Sequence, residues 1–284
     1  MKDRLGSQGL VLQEPLLWEK GKSGRCGMSI PDSDVPVANL DKNLTGELPD
    51  FPDLSELEVV RHYTRLSQWN FGIDTGMYPL GSCTMKYNPK INEKIAGVAE
   101  MSAAHPMVSD EINQGTLRLM YELQQFLAAI TGMPGVSLQP AAGAQGELAG
   151  MLIFAAYHKS SGKNRSKILI PDTAHGTNPA SAALCGFKPV SVKSDNRGML
   201  SAADVETLMD EDTAGIMITN PNTLGIFEQD IVKISEIVHS RGGLVYGDGA
   251  NMNAIMGIVD IGLTGVDVMH LNLHKTFSTP HGGG

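Results

Sequence analysis

Short β-rich runs alternate with helix-like segments from residue 111 onward, and this alternation constrains the fold more than any other feature of the sequence. The β-rich runs are SKILIPD, PVSVK, AGIMITNPN, GLVYGDGAN and VDVMHLNLHK. Helical spacing or good helix formers mark the segments EINQGTLRLMYELQQFLAAI, GAQGELAGMLIFAAYHKS, SAADVETLMD and DIVKISEIVHSRGG. The pattern predicts an α/β domain with a mostly parallel sheet flanked by helices.

The N-terminal part of the chain has a different character. Residues 20–55 are rich in Gly, Ser, Pro and Asp, which interrupt regular secondary structure. We therefore predict an extended arm, and we divide the chain into an N-terminal segment, residues 1–110, and a large domain, residues 111–284.

The charge and the cysteine content exclude several classes of protein. The net charge of −9 and the pI near 5.3 argue against nucleic acid or an anionic membrane surface as the main partner. The three cysteines are far apart and lack a C-x-x-C spacing, which indicates neither a disulfide framework nor a zinc ribbon. No apolar stretch resembles a signal peptide or a membrane span, so we expect a cytoplasmic protein.

Reactive residue types follow the predicted strands at the point where each strand ends. They are His175, Asn222 with Thr223, Asp248 and Lys275. In parallel α/β sheets, ligands bind outside the carboxyl ends of the strands. We therefore expect these side chains to meet at one edge of the sheet.

Lys275 and Asp248 together indicate pyridoxal 5′-phosphate (PLP). A lysine at the end of an apolar strand is partly desolvated, so its amine is more readily deprotonated for Schiff-base chemistry. A carboxylate against the pyridine nitrogen keeps that nitrogen protonated and makes PLP an electron sink. Taken singly, a strand-end lysine that reaches solvent and an aspartate in a turn are both ordinary structural features.

Other segments complete a candidate PLP site. The small residues Ala142, Gly143 and Ala144 open a predicted helix whose free N–H groups would favour a phosphate, although such residues are also common there for packing. His175 is a candidate to stack on the ring or, alternatively, a capping or core histidine. Asn222 or Thr223 would bond the ring hydroxyl, unless they only form a turn. We assign no metal, because His270 and His274 lack the H-E-x-x-H context.

Six motifs occur in the order found in glycine decarboxylase P-proteins. They are MYPLGSCTMKYNP, QPAAGAQGE, AHGTNPASA, TNPNTLGIFE, GDGANMNAI and LNLHKTFSTPHGGG. The N-terminal segments EPLLWEK and GRCGMSIPDSDVP are similar to the second subunit of split P-proteins. The sequence therefore resembles the β, lysine-bearing subunit of that family over nearly its whole length.

The resemblance implies a fold-type I PLP-dependent enzyme. Lys275 would bind the cofactor covalently, Asp248 would pair with its ring nitrogen, and His175 would stack on the ring. Ala142 to Ala144 would hold the phosphate, and Ala250 would pack under the ring. The loop from Ser82 to Lys86, together with His105, would lie near the glycine site or a subunit contact.

The same resemblance implies the reaction and the partners. The family decarboxylates glycine and transfers the aminomethyl group to the lipoyl arm of H-protein in the glycine cleavage system. An α subunit would complete an α2β2 heterotetramer, with residues 1–110 including the subunit-contact segment. In the family, the glycine run continues into a smaller C-terminal domain, whereas this sequence stops at Gly284. We interpret it as truncated, with that domain absent.

Two alternatives remain at this point. The chain could catalyse another fold-type I PLP reaction, such as transamination or desulfuration. It could also be an inactive fragment that only binds its partner subunit. A lysine-linked chromophore distinguishes an enzyme from a fragment without a working site.

Overall fold

The computed structural model describes residues 13–76, 78–80 and 83–279. The chain forms two compact units, Met1–Tyr78 and Pro79–Gly284. The domain division that we predicted after residue 110 stays a prediction. In the described residues, no helix combines the length and the apolar character that crossing a membrane requires.

The first unit has little regular structure. It contains the helices α1 (Leu17–Lys20) and α2 (Glu56–Ser67), and a 3-10 turn at Lys42–Leu44. A capping box begins α2, because the hydroxyl of Ser55 accepts from the N–H of Glu58 while the carboxylate of Glu58 accepts from the N–H of Ser55.

The second unit contains the other helices and all but one residue of the strands. A two-stranded sheet, β1 (Tyr78–Leu80) and β2 (Cys83–Met85), begins at the boundary of the units. The helices that follow are α3 (Lys90–Ala96), α4 (Ala99–Ser102), α5 (Gln114–Thr131), α6 (Gly143–Ser160), α7 (Thr177–Leu184), α8 (Ala202–Leu208), α9 (Ile231–Ser240) and α10 (Leu273–Thr276). The strands of the main sheet are β3 (Lys167–Pro171), β4 (Lys188–Val192), β5 (Thr213–Thr219), β6 (Leu244–Gly249) and β7 (Val268–Leu271).

The main sheet is parallel, with the strand order β4-β3-β5-β6-β7. Its five strands are the five β-rich runs of the sequence, so the predicted α/β fold is confirmed. Alternate residues of the strands face two apolar layers. Ile216 and Ile218 pack with residues of α8 and α9, whereas Met217 packs with residues of α6 and α7. Every residue of β5 is buried, as expected for a central strand covered on both faces.

Helix α6 packs very closely on β6 and β7 because glycines line one of its faces. A Cβ atom at Gly143 would lie 2.1 Å from Nδ2 of Asn272, just beyond β7. A Cβ at Gly146 would lie 2.8 Å from Cβ of His270, and a Cβ at Gly150 would lie 2.4 Å from Cε2 of Tyr246. The helix therefore runs against the strand direction, and its N-terminus lies at the carboxyl edge of the sheet.

Candidate active site

Asp248 lies near the end of β6, and its side chain is only 2% exposed. Its Oδ1 atom accepts a hydrogen bond of 2.9 Å from the N–H of Ala250 and lies 3.5 Å from Nε2 of His270. Among the described residues, no lysine or arginine forms an ion pair with Asp248. A buried carboxylate without a cation is costly, so this position favours a ligand that brings positive charge.

His270 connects Asp248 to two further buried side chains. Its Nδ1 atom lies 2.5 Å from the hydroxyl of Tyr246, and its Nε2 atom lies 3.0 Å from Oδ1 of Asn272. Burial raises the pKa of Tyr246 well above its ordinary value, so the phenol keeps its proton. When the phenol donates to Nδ1, a neutral His270 carries its hydrogen on Nε2, which faces the oxygens of Asn272 and Asp248.

Glu147 is a second buried carboxyl close to Asp248. It lies in the second turn of α6 and is 5% exposed. Its Oε1 atom lies 2.8 Å from the hydroxyl of Thr177. When the Asn178 amide is oriented with its nitrogen toward the carboxyl groups, that nitrogen lies 2.8 Å from Oε2 of Glu147 and 3.3 Å from Oδ2 of Asp248. Burial is the largest influence on the Glu147 carboxyl and raises its pKa.

Lys275 is half-buried in α10, which begins two residues after β7. The Lys86 ammonium donates to the carbonyl of His274 at 2.6 Å and to the carbonyl of Thr279 at 2.9 Å. The amide of Asn92 also donates to the carbonyl of Ser278. The backbone on both sides of Lys275 is therefore held by residues that follow β2.

His175 follows β3 and is exposed at the carboxyl edge of the sheet. Its Nδ1 atom lies 2.7 Å from the hydroxyl of Thr177 and 3.3 Å from the N–H of the same residue. The Thr177 hydroxyl also contacts Glu147. The imidazole is thus anchored through one nitrogen, and its ring remains accessible to a ligand.

The N-terminus of α6 is open. Ala142 is its N-cap, and no side chain caps the first turn. Gln145 and Gly146 donate to the carbonyl of Ala142, whereas the N–H groups of Gly143 and Ala144 make no hydrogen bond within the described residues. Free N–H groups at the positive end of an 18-residue helix favour an anion.

Two buried hydroxyl groups leave hydrogen-bonding capacity beside these residues. Thr219 pairs with Asp248 in the register of β5 and β6, and Thr276 follows Lys275. Neither Oγ1 atom has a hydrogen-bond partner within the part of the chain that the structure describes. Buried polar atoms are normally satisfied, so both hydroxyls fit an edge that binds a polar ligand.

Other residues that the sequence suggested have different surroundings. The Asn222 amide donates to Gly198 and Glu228 and accepts from Leu224 and Ile226. Three of its four hydrogen-bonding positions are used by its own loop and the fourth by Gly198 in the connection before α8, and its predicted bond to a ring hydroxyl stays a prediction. Thr223 is exposed, and its role stays a prediction, as does that of Ala250 under a ring.

The predicted glycine-site or contact loop is described only in part. Ser82 lies outside the described residues, whereas Lys86 contacts the Lys275 segment as given above. His105 is exposed, and its Nδ1 atom accepts from the N–H of Met107. The position of His105 therefore leaves its predicted role untested.

Glu147, Asp248 and His270 also meet a geometric requirement for metal binding. Their ligand atoms lie within 4.8 Å of one another. Each of these atoms already has a protein neighbour, because Thr177, Asn178, Tyr246 and Asn272 surround the cluster. The arrangement is that of a hydrogen-bonded network between protein groups.

Comparison with known sequences gives close relatives over almost the whole chain. The chain is 54% identical over 96% of its length to probable glycine dehydrogenase (decarboxylating) subunit 2 of Chloroherpeton thalassium. It is 55% identical over 95% of its length to the protein of the same name in Listeria monocytogenes. The chain belongs to the family of glycine dehydrogenase (decarboxylating) subunit 2. It spans 56% and 57%, respectively, of the lengths of these two relatives.

A family model and two solved structures agree with the α/β fold described above. The aminotransferase class-V model matches residues 145–284. Glycine decarboxylase (P-protein) of the glycine cleavage system, in inhibitor-bound form, aligns with a TM-score of 0.69 and 22% identity over 86% of this chain and 54% of that one. Sphingosine-1-phosphate lyase of Burkholderia pseudomallei aligns with a TM-score of 0.59 and 18% identity over 82% and 58%. The fold of this chain is therefore that of fold-type I PLP-dependent enzymes.

Several site residues were missed by the sequence interpretation. They are Glu147, Thr177, Asn178, Tyr246, His270 and Asn272. A signal existed for Tyr246 and His270, because side chains two apart on a strand share a face, and Tyr246 is two residues before Asp248. Glu147 was also visible as a charged residue between the glycines of α6. Its partners Thr177 and Asn178 follow the next strand and could not be paired with it by spacing.

Proposed function

We propose that this chain is the lysine-bearing part of a PLP-dependent glycine decarboxylase of the glycine cleavage system. Its reaction would release carbon dioxide from glycine and transfer the aminomethyl group to the lipoyl arm of H-protein. The relatives are named as a second subunit, so we also propose a partner α-type subunit. Lys275 is the residue that would hold the cofactor covalently.

One observation carries the proposal: the buried carboxylate of Asp248, which has no lysine or arginine partner among the described residues, lies near the end of the strand beside the one that leads to Lys275. The residues fit PLP in three respects. The carboxylate of Asp248 suits a protonated ring nitrogen, and the free N–H groups at Gly143 and Ala144 suit a phosphate. The hydroxyls of Thr219 and Thr276, which have no hydrogen-bond partner among the described residues, suit a polar ligand at this edge of the sheet.

The proposed division of labour follows from these positions. When bound, PLP supplies an electron sink for the pair of electrons released with carbon dioxide. Asp248 would keep the proton on the ring nitrogen, and the exposed imidazole of His175 would stack on the cofactor ring. Lys86 fixes the backbone beside Lys275 and thereby limits the directions from which its amine can react.

Absorbance spectroscopy tests the cofactor site. Purified chain is mixed with PLP, its visible spectrum is recorded, borohydride is added, and the modified peptide is identified by mass spectrometry. We expect a visible band in the wild type, with the label on Lys275, and no band in Lys275→Ala. Lys233→Ala, at an exposed position of α9, is the matched control and should behave as the wild type. A label on another lysine would contradict the assignment of Lys275.

Isotope exchange tests the reaction. The PLP-loaded chain is assayed for exchange of labelled bicarbonate into the carboxyl group of glycine, with lipoylated H-protein, both alone and with a purified α-type subunit. Exchange that requires glycine, H-protein and Lys275 supports the proposal. If the chain binds PLP but catalyses transamination or desulfuration, the proposed glycine decarboxylation is wrong and the chain has another PLP-dependent activity. PLP binding without turnover in any mixture would leave only a cofactor-binding role.

A further inference from the structure

Glu147 belongs to the QPAAGAQGE motif but has no role in the site proposed above. It is buried, and both of its oxygens point toward neighbours of proposed cofactor-contacting residues. Oε1 is 2.8 Å from the hydroxyl of Thr177, which contacts His175. With the Asn178 amide oriented so that its nitrogen faces the carboxyl groups, that nitrogen lies 2.8 Å from Oε2 of Glu147 and 3.3 Å from Oδ2 of Asp248. The Glu147 carboxyl group is therefore connected to His175 through Thr177 and to Asp248 through Asn178.

The Thr177 hydroxyl can donate only one of its two side-chain hydrogen bonds and must accept the other. It has a single hydrogen but lies within hydrogen-bond distance of both His175 Nδ1 and Glu147 Oε1. Both contacts are satisfied when a neutral Glu147 donates to Thr177 and Thr177 donates to His175. They are also satisfied when a protonated Nδ1 donates to Thr177 and Thr177 donates to an ionised Glu147.

The backbone distinguishes these two arrangements. The N–H of Thr177 points at Nδ1 over 3.3 Å, and an N–H donor requires an unprotonated acceptor nitrogen. Burial also raises the pKa of Glu147, although the hydrogen bond from Thr177 and the charges of His270 and Lys275 oppose this increase. The first observation favours a His175 ring whose Nδ1 carries no hydrogen, and both favour a Glu147 carboxyl that donates to Thr177.

We propose that Glu147 is a positioning residue that orients His175 through the Thr177 hydroxyl and Asp248 through the Asn178 amide. The proposal rests on the proposed function, because it concerns the two side chains assigned to the cofactor. It assigns to the second turn of α6 a task separate from phosphate binding at the first turn. His175, which is otherwise exposed, is thereby held in one tautomer and one ring orientation before the cofactor arrives.

Nuclear magnetic resonance of histidine nitrogens tests the Thr177 arm without any cofactor. The chain is labelled with 15N-histidine, and the His175 signal is assigned by its loss in His175→Gln. We expect Nδ1 to be unprotonated in the wild type, and we expect a measurable fraction with a hydrogen on Nδ1 in Thr177→Val and Glu147→Leu, where the backbone N–H of residue 177 is left without the ordered hydroxyl donor. Thr177→Ser should restore the wild-type signal because it keeps the hydroxyl. Thr207→Val, which removes an exposed helix hydroxyl bonded to the Ala203 carbonyl, is the matched control.

Cofactor affinity tests the consequence of the positioning. Glu147→Leu should weaken the apparent affinity for PLP by roughly tenfold, because Thr177 and Asn178 each lose the carboxyl partner that orients them. Glu147→Gln can donate to Thr177 and accept from Asn178, so it should recover most of that loss. Circular dichroism of each variant identifies any that fail to fold, and for these the comparison between Thr177→Val and Thr177→Ser replaces the Glu147 pair.

The results separate this inference from the proposed function. Absence of PLP binding in the wild type would overturn the cofactor assignment, whereas the His175 signal would still measure the hydrogen-bond chain. An unchanged His175 signal in both Thr177→Val and Glu147→Leu would overturn the positioning role even in a chain that binds PLP. Equal losses of PLP affinity in Glu147→Leu and Glu147→Gln would also overturn it. The hydrogen bonds that a glutamine can make to Thr177 and Asn178 would then contribute nothing to PLP binding.

Discussion

Asp248 and His270 are direct partners in the parallel register of β6 and β7, and Oδ1 of Asp248 lies 3.5 Å from Nε2 of His270. Both side chains are almost completely buried. The Tyr246 hydroxyl on the other ring nitrogen favours a hydrogen on Nε2, which faces the carboxylate. The hydrogen bond of His270 Nε2 is made with Oδ1 of Asn272, at 3.0 Å, so Asp248 is left to pair with the positive charge of a ligand.

Replacement of Asp248 by asparagine should increase the stability of the cofactor-free chain and decrease its affinity for PLP. Asp248→Asn removes the buried charge and can still accept the hydrogen bond from Ala250, so the cofactor-free chain should become more stable, with Tm higher by roughly 2 °C. The same change should weaken PLP binding by roughly tenfold or more, because a charge-assisted bond is lost. Thermal denaturation with and without PLP measures both effects.

Asp204→Asn, at an exposed position of α8, is the control for that experiment and should change neither quantity appreciably. A cofactor-free Asp248→Asn chain that is less stable than the wild type would show that His270 and Asn178 already compensate the carboxylate.

The sequence was sufficient for the sheet but not for the contacts within the site. The strands and the start of α6 were predictable because apolar runs, glycines and helical spacing are local signals. The edge rule for parallel sheets also predicts one side for His175, Asp248 and Lys275, each of which lies at or after the carboxyl end of a strand in the parallel sheet. Asn222 illustrates the limit, because an amide in a TNPN segment can face a ligand or its own loop, and only the position of Glu228 shows that it faces the loop.

The close packing of α6 predicts a large penalty for a single added methyl group. Gly150→Ala would place its Cβ 2.4 Å from Cε2 of Tyr246, a ring that is completely buried and hydrogen-bonded to His270. We expect a loss of roughly 1–3 kcal/mol in the free energy of unfolding, measured by urea denaturation. Gly115→Ala is the control in α5, since nothing lies within 4 Å of its added Cβ. It should be neutral or stabilise by up to about 1 kcal/mol, and equal destabilisation by both variants would contradict this account.

The hydrogen bonds of Lys86 indicate that the segment after β2 holds the backbone around Lys275 in place. Lys86→Met keeps much of the side-chain length but removes both hydrogen bonds to the carbonyls of His274 and Thr279. Amide hydrogen exchange in residues 273–279 should become roughly tenfold faster, because those bonds no longer hold the backbone. Lys94→Met, in the exposed last turn of α3, is the matched control and should leave exchange unchanged. Unchanged exchange in Lys86→Met would mean that α10 is held by other contacts.

The lowered pKa of Glu14 indicates how the stability of the first unit should change in acid. Its side chain is 2% exposed and is paired with Lys20, with His62 at 2.9 Å and with Arg65 at 2.5 Å. The Arg65 hydrogen bond is the largest of the influences that lower the pKa of Glu14 from 4.5 to about 2. A lowered folded-state pKa means that this stabilisation is complete above about pH 4.5 and is lost as the pH falls toward 2. Glu14→Gln should therefore destabilise the first unit by about 1–3 kcal/mol at neutral pH and make it insensitive to that interval.

Pepsin digestion between pH 4.5 and 2 measures this difference, with cleavage within α2 followed by mass spectrometry. The wild type should resist cleavage at the upper end of the interval and become susceptible toward the lower end, whereas Glu14→Gln should be susceptible throughout. Glu47→Gln, at an exposed position of the same unit, controls for the loss of one acidic group. If Glu14→Gln and Glu47→Gln followed the wild-type profile equally, the buried ion-pair cluster around Glu14 would contribute nothing to the acid response. The stability of the unit would then depend on the capping box of α2 and its few buried apolar contacts.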